Sequence, residues 1–251
     1  MLQRGARWGL AVGLGMILVG QEASAHQRDY LVTQPYYTTK QGEWEVELYN
    51  DMNFSDAGND ESYHSIHQVE LEYGLTNHFQ LAYYEVYTWD RPNDWQRDAL
   101  KIEAKLRLFE AGQLPVDVAW YTEYENPNGR RRTRSDVVEN KVIVSKDVGP
   151  WNVTGNVVFE KQVNNSHPWE FEYTLGASYG VTPRVRLGLE LKETLGDAKE
   201  FGFRRDDHQL QLIPGVYANL LPHLRVLVGP AFGLTRASDD LQLRSIVEWE
   251  F

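Results

Sequence analysis

From residue 43 to residue 251 one pattern recurs: apolar and polar side chains alternate with a period of two. Trp44, Val46 and Leu48 alternate with Glu43, Glu45 and Glu47. Leu100, Ile102, Ala104, Leu106 and Leu108 alternate with Lys101, Glu103, Lys105 and Arg107. Residues 169–180 and 184–194 repeat it, with Glu170, Glu172, Arg186 and Glu190 on the polar side. In the last eleven residues Leu241, Leu243, Ser245, Val247, Trp249 and Phe251 share one face, and Gln242, Arg244, Glu248 and Glu250 the other, with Ile246 among them. A period of two sends each series to one face of a strand, whereas an amphipathic helix repeats every 3.6 residues. The chain is therefore all-β, and its strands carry charge on one face.

Turn signals divide the pattern into twelve strands, 43–54, 65–75, 79–89, 97–109, 116–125, 136–146, 151–163, 169–180, 184–194, 207–219, 224–235 and 241–251. Most have about the 9–11 residues that a tilted strand needs to cross a bilayer.

The first 25 residues read as a secretory signal peptide. Arg4 and Arg7 give a positive start, the run from Trp8 to Gly20 is uncharged, and Ala23-Ser24-Ala25 is an A-x-A cleavage site, with cleavage after Ala25. The run is short for a membrane-spanning helix, which needs about 20 residues. Cleavage leaves 23 of the 25 basic and 35 of the 36 acidic residues, a net charge of −12. With no cysteine there is neither a disulfide framework nor a thiolate site.

An exported chain of strands without a spanning helix is a soluble β protein or a membrane barrel. The connections favour the barrel. Short ones (76–78, 110–115, 147–150, 181–183, 220–223) alternate with longer polar ones (55–64, 90–96, 126–135, 195–206), apart from the short 164–168 and 236–240. Trp44, Tyr73, Trp151, Tyr179 and Trp249 fall at one set of strand ends and Trp89, Trp95 and Trp169 at the other, as two interfacial girdles would. The expected organisation is a signal peptide (1–25), an N-terminal periplasmic segment able to plug the lumen (26–42), and a single antiparallel transmembrane β-barrel of about twelve strands (43–251) with both termini periplasmic. The bacterial outer membrane is its expected site. Trp249 and Phe251 on the closing strand are the expected signal to the barrel-assembly machinery.

The hairpin Tyr73-Gly-Leu-Thr-Asn-His-Phe-Gln-Leu81 returns six strands later as Tyr179-Gly-Val-Thr-Pro-Arg-Val-Arg-Leu187. The Tyr-Gly-Leu-Thr hairpin, the Trp-Glu-Val-Glu first strand and the terminal aromatic together resemble the outer-membrane transporters grouped with the phenol meta-degradation pathway proteins. The resemblance covers most of the mature chain as a pattern. It implies a barrel and transport, and carries over no catalytic residue. In fold alone, twelve strands also match small channels for acidic sugars and nucleosides and the outer-membrane phospholipase.

Four places are candidates for chemistry. The first is the lumen, where Glu45, Glu47, Glu70, Glu72, Lys101, Glu103, Lys105, Arg107, Glu170, Glu172, Arg186, Glu190, Arg244 and Glu248 are expected to point inward. Charged rings select solutes by sign, and an excess of acids favours cations or neutral polar solutes. The same charges can instead pair across strands and fill the bore. The second is Arg130, Arg131, Arg132 and Arg134, an external loop suited to lipopolysaccharide phosphate. An acidic chain without a nucleic-acid module makes nucleic acid a poor partner. The third is the histidines: His64 and His67 point to opposite faces, and His26 lacks companions, so no metal site is expected. The fourth is a serine nucleophile. Ser65 beside His64 and Ser166 beside His167 diverge in an extended chain, so no catalytic group and no cofactor is expected. The expectation is a monomeric channel for a small polar or charged solute, with a plugged envelope scaffold and a lipid-modifying enzyme as the alternatives.

Overall fold

The computed structural model describes residues 29–56, 63–90, 95–128, 135–163, 165–197 and 208–251. The signal peptide and the cluster Arg130, Arg131, Arg132 and Arg134 lie outside the described residues.

Among the described residues twelve strands form: β1 (Trp44–Phe54), β2 (Tyr63–Thr76), β3 (Phe79–Asp90), β4 (Gln96–Arg107), β5 (Asp117–Pro127), β6 (Val137–Val148), β7 (Trp151–Gln162), β8 (Glu170–Thr182), β9 (Val185–Asp197), β10 (Gln209–Leu221), β11 (Leu224–Gly233) and β12 (Leu241–Glu250). They fall within three residues of the boundaries expected from alternation and turns. The largest departure is β9, which runs on to Asp197. A register shift between Phe171 and Glu172 of β8 lets the pairing continue past Thr194.

Each strand pairs antiparallel with its sequence neighbours, and β1 pairs with β12 to close the barrel. The closing register sets Val46 opposite Trp249 and Glu47 opposite Glu248. Beyond it, the Phe251 N–H donates to the Trp44 carbonyl at 2.9 Å and the Trp44 N–H to the Phe251 carbonyl at 3.0 Å. Closure leaves no edge strand with unpaired backbone groups, which is the condition for β structure in lipid.

Alternation now has an inside and an outside. On β1, Glu45, Glu47, Tyr49, Asp51 and Asn53 are buried, while Trp44, Leu48 and Met52 are exposed. Val69, Leu71, Ile102, Val157, Leu189 and Leu243 extend that exposed apolar belt round the barrel. Aromatic rings gather near both rims. Trp44 packs on Tyr73 at 4.5 Å and Trp151 on Tyr179 at 4.9 Å at the rim of β1's first residue. Tyr63 lies between Phe54 and Trp89 at the other. No helix among the described residues is long and apolar enough to cross a membrane.

Of the segment 26–42, residues 29–39 run inside the barrel, and Lys40 and Gln41 lie exposed at its rim. The chain crosses the rim at Gly74, where Gln41 bridges to Gly74 and the Gly42 N–H donates to the Gly74 carbonyl at 2.8 Å. A Cβ on Gly74 would lie 1.9 Å from the Lys40 carbonyl oxygen, so only glycine allows this approach. Gly42 makes the turn into β1 with φ 85°.

Candidate solute passage

The interior is built from inward residues of all twelve strands, and its chemistry is divided. On the β1–β4 side the wall is acidic. Glu45, Glu47, Glu70, Glu72 and Glu103 are fully buried there, with Lys105 beside them. Carboxylate oxygens of Glu47, Glu70 and Glu72 lie within 4.8 Å of one another. Carboxylates this close need a counter-charge or hydrogen-bond donors. Tyr49 donates its hydroxyl proton to Glu70 at 2.6 Å, Thr39 to Glu72 at 2.6 Å, and Tyr84 to Glu103. Such oxygen sets suit hard cations.

Toward the mouth remote from the chain's rim crossing, the inward charges are partly open to solvent and paired. Lys101 bridges Glu123 at 2.9 Å and Glu125 at 3.3 Å. Lys141 pairs with Glu139 at 2.9 Å, and Lys192 with Glu172 at 3.1 Å. Lys192 is 36% exposed and Glu70, deeper in, 0%. Glu170 stands across β7–β8 from Glu160. Arg244 faces Asp51 at 3.6 Å and lies over the Tyr49 ring at 5.4 Å.

The segment 29–41 spans the bore between these regions and the nearer rim. Three successive backbone N–H groups, of Leu31, Val32 and Thr33, donate to the Glu190 carboxylate at 2.6, 3.0 and 2.8 Å. The Tyr217 hydroxyl reaches the same carboxylate at 3.0 Å. Asn156 holds Gln34 on both sides, accepting its N–H at 2.6 Å and donating to its carbonyl at 3.0 Å. Tyr30 donates to the Asn152 Oδ1 at 2.6 Å, and the Thr39 N–H donates to Gln80 at 2.8 Å. Arg107 stacks over Tyr36 at 5.6 Å. At the segment's start Asp29 pairs with Arg225 at 2.9 Å and Arg186 at 3.3 Å. Burial pushes its carboxyl above the usual range, against the pull of Arg225 and Arg186.

The inner wall of β10–β12 carries an apolar patch among its charges: Ile213, Leu227, Ala231 and Ile246 are buried together against Leu31. Alternation on β1–β4 and β8–β9 pointed to a charged lumen. This apolar sector was legible only in Ile246, the apolar residue among the inward charges of β12. Outside the same sector the wall itself changes. The β10–β11 register pairs Leu212 with Phe232 and Val216 with Val228, but the intervening Ile213, Pro214 and Gly215 are not paired with Ala231, Pro230 and Gly229. Two facing prolines remove N–H donors from both strands. A Cβ on Gly229 would meet the Pro214 carbonyl at 2.3 Å and Leu31 Cδ1 at 2.6 Å. An outer-surface cavity of about 710 Å³ lies over this stretch, lined by Pro214, Val216, Val228, Pro230, Leu243 and their neighbours.

No protein-family model and no curated protein matches the chain. Solved structures do. An outer-membrane channel from Pseudomonas putida F1 superposes with a TM-score of 0.66 at 13% identity, over 87% of this chain and 99% of that one. The KdgM porin aligns with a TM-score of 0.57 at 10% identity, over 82% and 99%. A KdgM porin structure in complex with disordered oligogalacturonate aligns with a TM-score of 0.56 at 9% identity. The NanC porin aligns with a TM-score of 0.55 at 9% identity, over 82% and 98%. At these identities the likeness is one of fold: this chain has the closed twelve-stranded fold of the outer-membrane β-barrel channels.

Proposed function

We propose that this protein is a monomeric channel of the bacterial outer membrane, both termini periplasmic, that passes a small solute and is closed in the present conformation by residues 29–41. The carrying observation is how the segment is held. Its backbone donates to Glu190, Asn156 and Gln80, polar inward side chains that water or a solute satisfies equally well once it leaves. The acid-rich wall on β1–β4 favours cationic or neutral polar solutes along the axis. Lipopolysaccharide around the rim and the barrel-assembly machinery acting on the Trp249–Phe251 end are its partners in this reading.

The unpaired stretch between β10 and β11 supports a second route. It joins the apolar inner sector behind Leu31 to the apolar outer cavity, and so suits an apolar solute leaving sideways. Flux into proteoliposomes separates the routes. With residues 29–41 deleted, small amines and sugars enter faster if the axial route operates. Unchanged uptake of polar solutes after that deletion contradicts it and leaves the lateral route or a closed scaffold.

A further inference from the structure

The outward face of β2 carries a polar group at the edge of the outer cavity. Ser65 and His67 are two residues apart and share that face, and the β1–β2 register places Asn50 directly opposite His67. Ser65 Oγ lies 3.0 Å from His67 Nε2, and Asn50 Oδ1 lies 2.9 Å from His67 Nδ1. An amide oxygen accepts, so Nδ1 carries the proton and Nε2 is left to accept from the Ser65 hydroxyl. Nucleophile, base and orienting group thus stand in the order that acyl transfer requires.

The surroundings fit an acyl substrate. Met52 and Trp89 are the cross-strand neighbours of Ser65, and Tyr87 that of His67. A polar trio on an apolar outward face has no packing reason to be there, and polar groups at membrane depth are costly. The apolar outer cavity is also lined by Asn50 and Met52, so it begins beside the trio and runs across β12 to β9. Ser65 is 3% exposed, while Trp95, whose ring lies 4.6 Å from that of His67, is 58% exposed. Trp95 is thus the exposed group packed on the imidazole.

We propose that Ser65, His67 and Asn50 form a serine hydrolase site on the outer wall, acting on a carboxylic ester of a membrane amphiphile whose acyl chain lies in the cavity. Ser65 Oγ attacks the carbonyl carbon and its proton passes to His67 Nε2. The ester C–O bond breaks, and the alcohol leaves with that proton. Water then attacks the acyl-serine, gives a proton to Nε2, and releases the carboxylic acid as the Ser65 hydroxyl regains its proton. Ser65 and His67 are the catalytic residues, and Asn50 is a positioning residue acting through the imidazole.

The test uses the full mature chain refolded in detergent micelles, its closed barrel verified by heat-modifiable gel mobility. A fluorophosphonate probe is expected to modify Ser65, located by peptide mass, with faster labelling in Trp95→Ala. Fatty-acid release from phospholipid mixed micelles is expected to vanish in Ser65→Ala and to fall at least about 100-fold in His67→Ala. Asn50→Ala should lower kcat and displace the pH profile, and Asn50→Asp should restore both. Probe absent from Ser65 in folded wild type and in Trp95→Ala overturns the proposal, as does equal fatty-acid release by Ser65→Ala. The wild-type labelling result stands whether or not any variant folds.

Discussion

Glu190 shows how much a single residue decides. It accepts three consecutive backbone N–H groups and a tyrosine hydroxyl inside the barrel. Charge-assisted bonds of this kind contribute about 1.5–3 kcal/mol each, and a buried donor left without a partner costs about 1–3 kcal/mol. Losing the carboxylate also relieves the cost of burying its charge, so Glu190→Ala is expected to weaken seating of the segment by a net of about 2–3 kcal/mol, roughly 30- to 150-fold in population. The readout is protease access to residues 29–41 in the folded barrel. Gly74→Val should displace the same segment from the rim, since the Lys40 carbonyl occupies the space of a side chain. Asp29 adds a pH dependence. Its carboxyl is raised when docked, so the docked state binds the proton more tightly than the free one. Docking strengthens as pH falls and weakens as pH climbs through the raised value, and Asp29→Asn should flatten that response in the protease assay.

Elements were the most legible scale in the sequence, and their contacts the least. Alternation located twelve strands because side-chain period and turn chemistry are local properties. It placed Glu45, Glu70 and Glu190 on a polar face for the same reason. Register is not local. The sequence offered Ser65 only its chain neighbour His64, which points the other way, whereas the partner two residues on, His67, shares its face. That Ser-x-His spacing was the available signal. Nothing in the sequence set Asn50 opposite His67. Nor did it show Pro214 facing Pro230, because neither proline marks the break until the register is known. Replacing both prolines by threonine restores two N–H donors to the β10–β11 seam. The paired variant should resist unfolding better by about 1 kcal/mol and slow the exit of apolar solutes, measured as uptake by vesicles. Deleting Phe251 removes both hydrogen bonds that it makes with Trp44 at the closing seam, and slower assembly of the heat-modifiable barrel is the expected result.

At the scale of the whole molecule, the barrel is a closed wall around an interior whose chemistry differs from one side to the other. Acids crowd the β1–β4 side, an apolar patch interrupts the charges on the β10–β12 side, and residues 29–41 cross the bore. In the proposed function, that segment's position decides whether the axis conducts. The chain has no cysteine, so a pair introduced at Gln34 and Asn156, whose backbone and side chain already bond at 2.6 and 3.0 Å, forms a single selective tether. The decisive measurement is single-channel conductance of this double-cysteine protein in a planar bilayer, before and after reduction. Closure of the axis by residues 29–41 predicts no steps in the oxidised protein and conductance steps once the tether is reduced. Identical traces in the two states, whether open or silent, would contradict it.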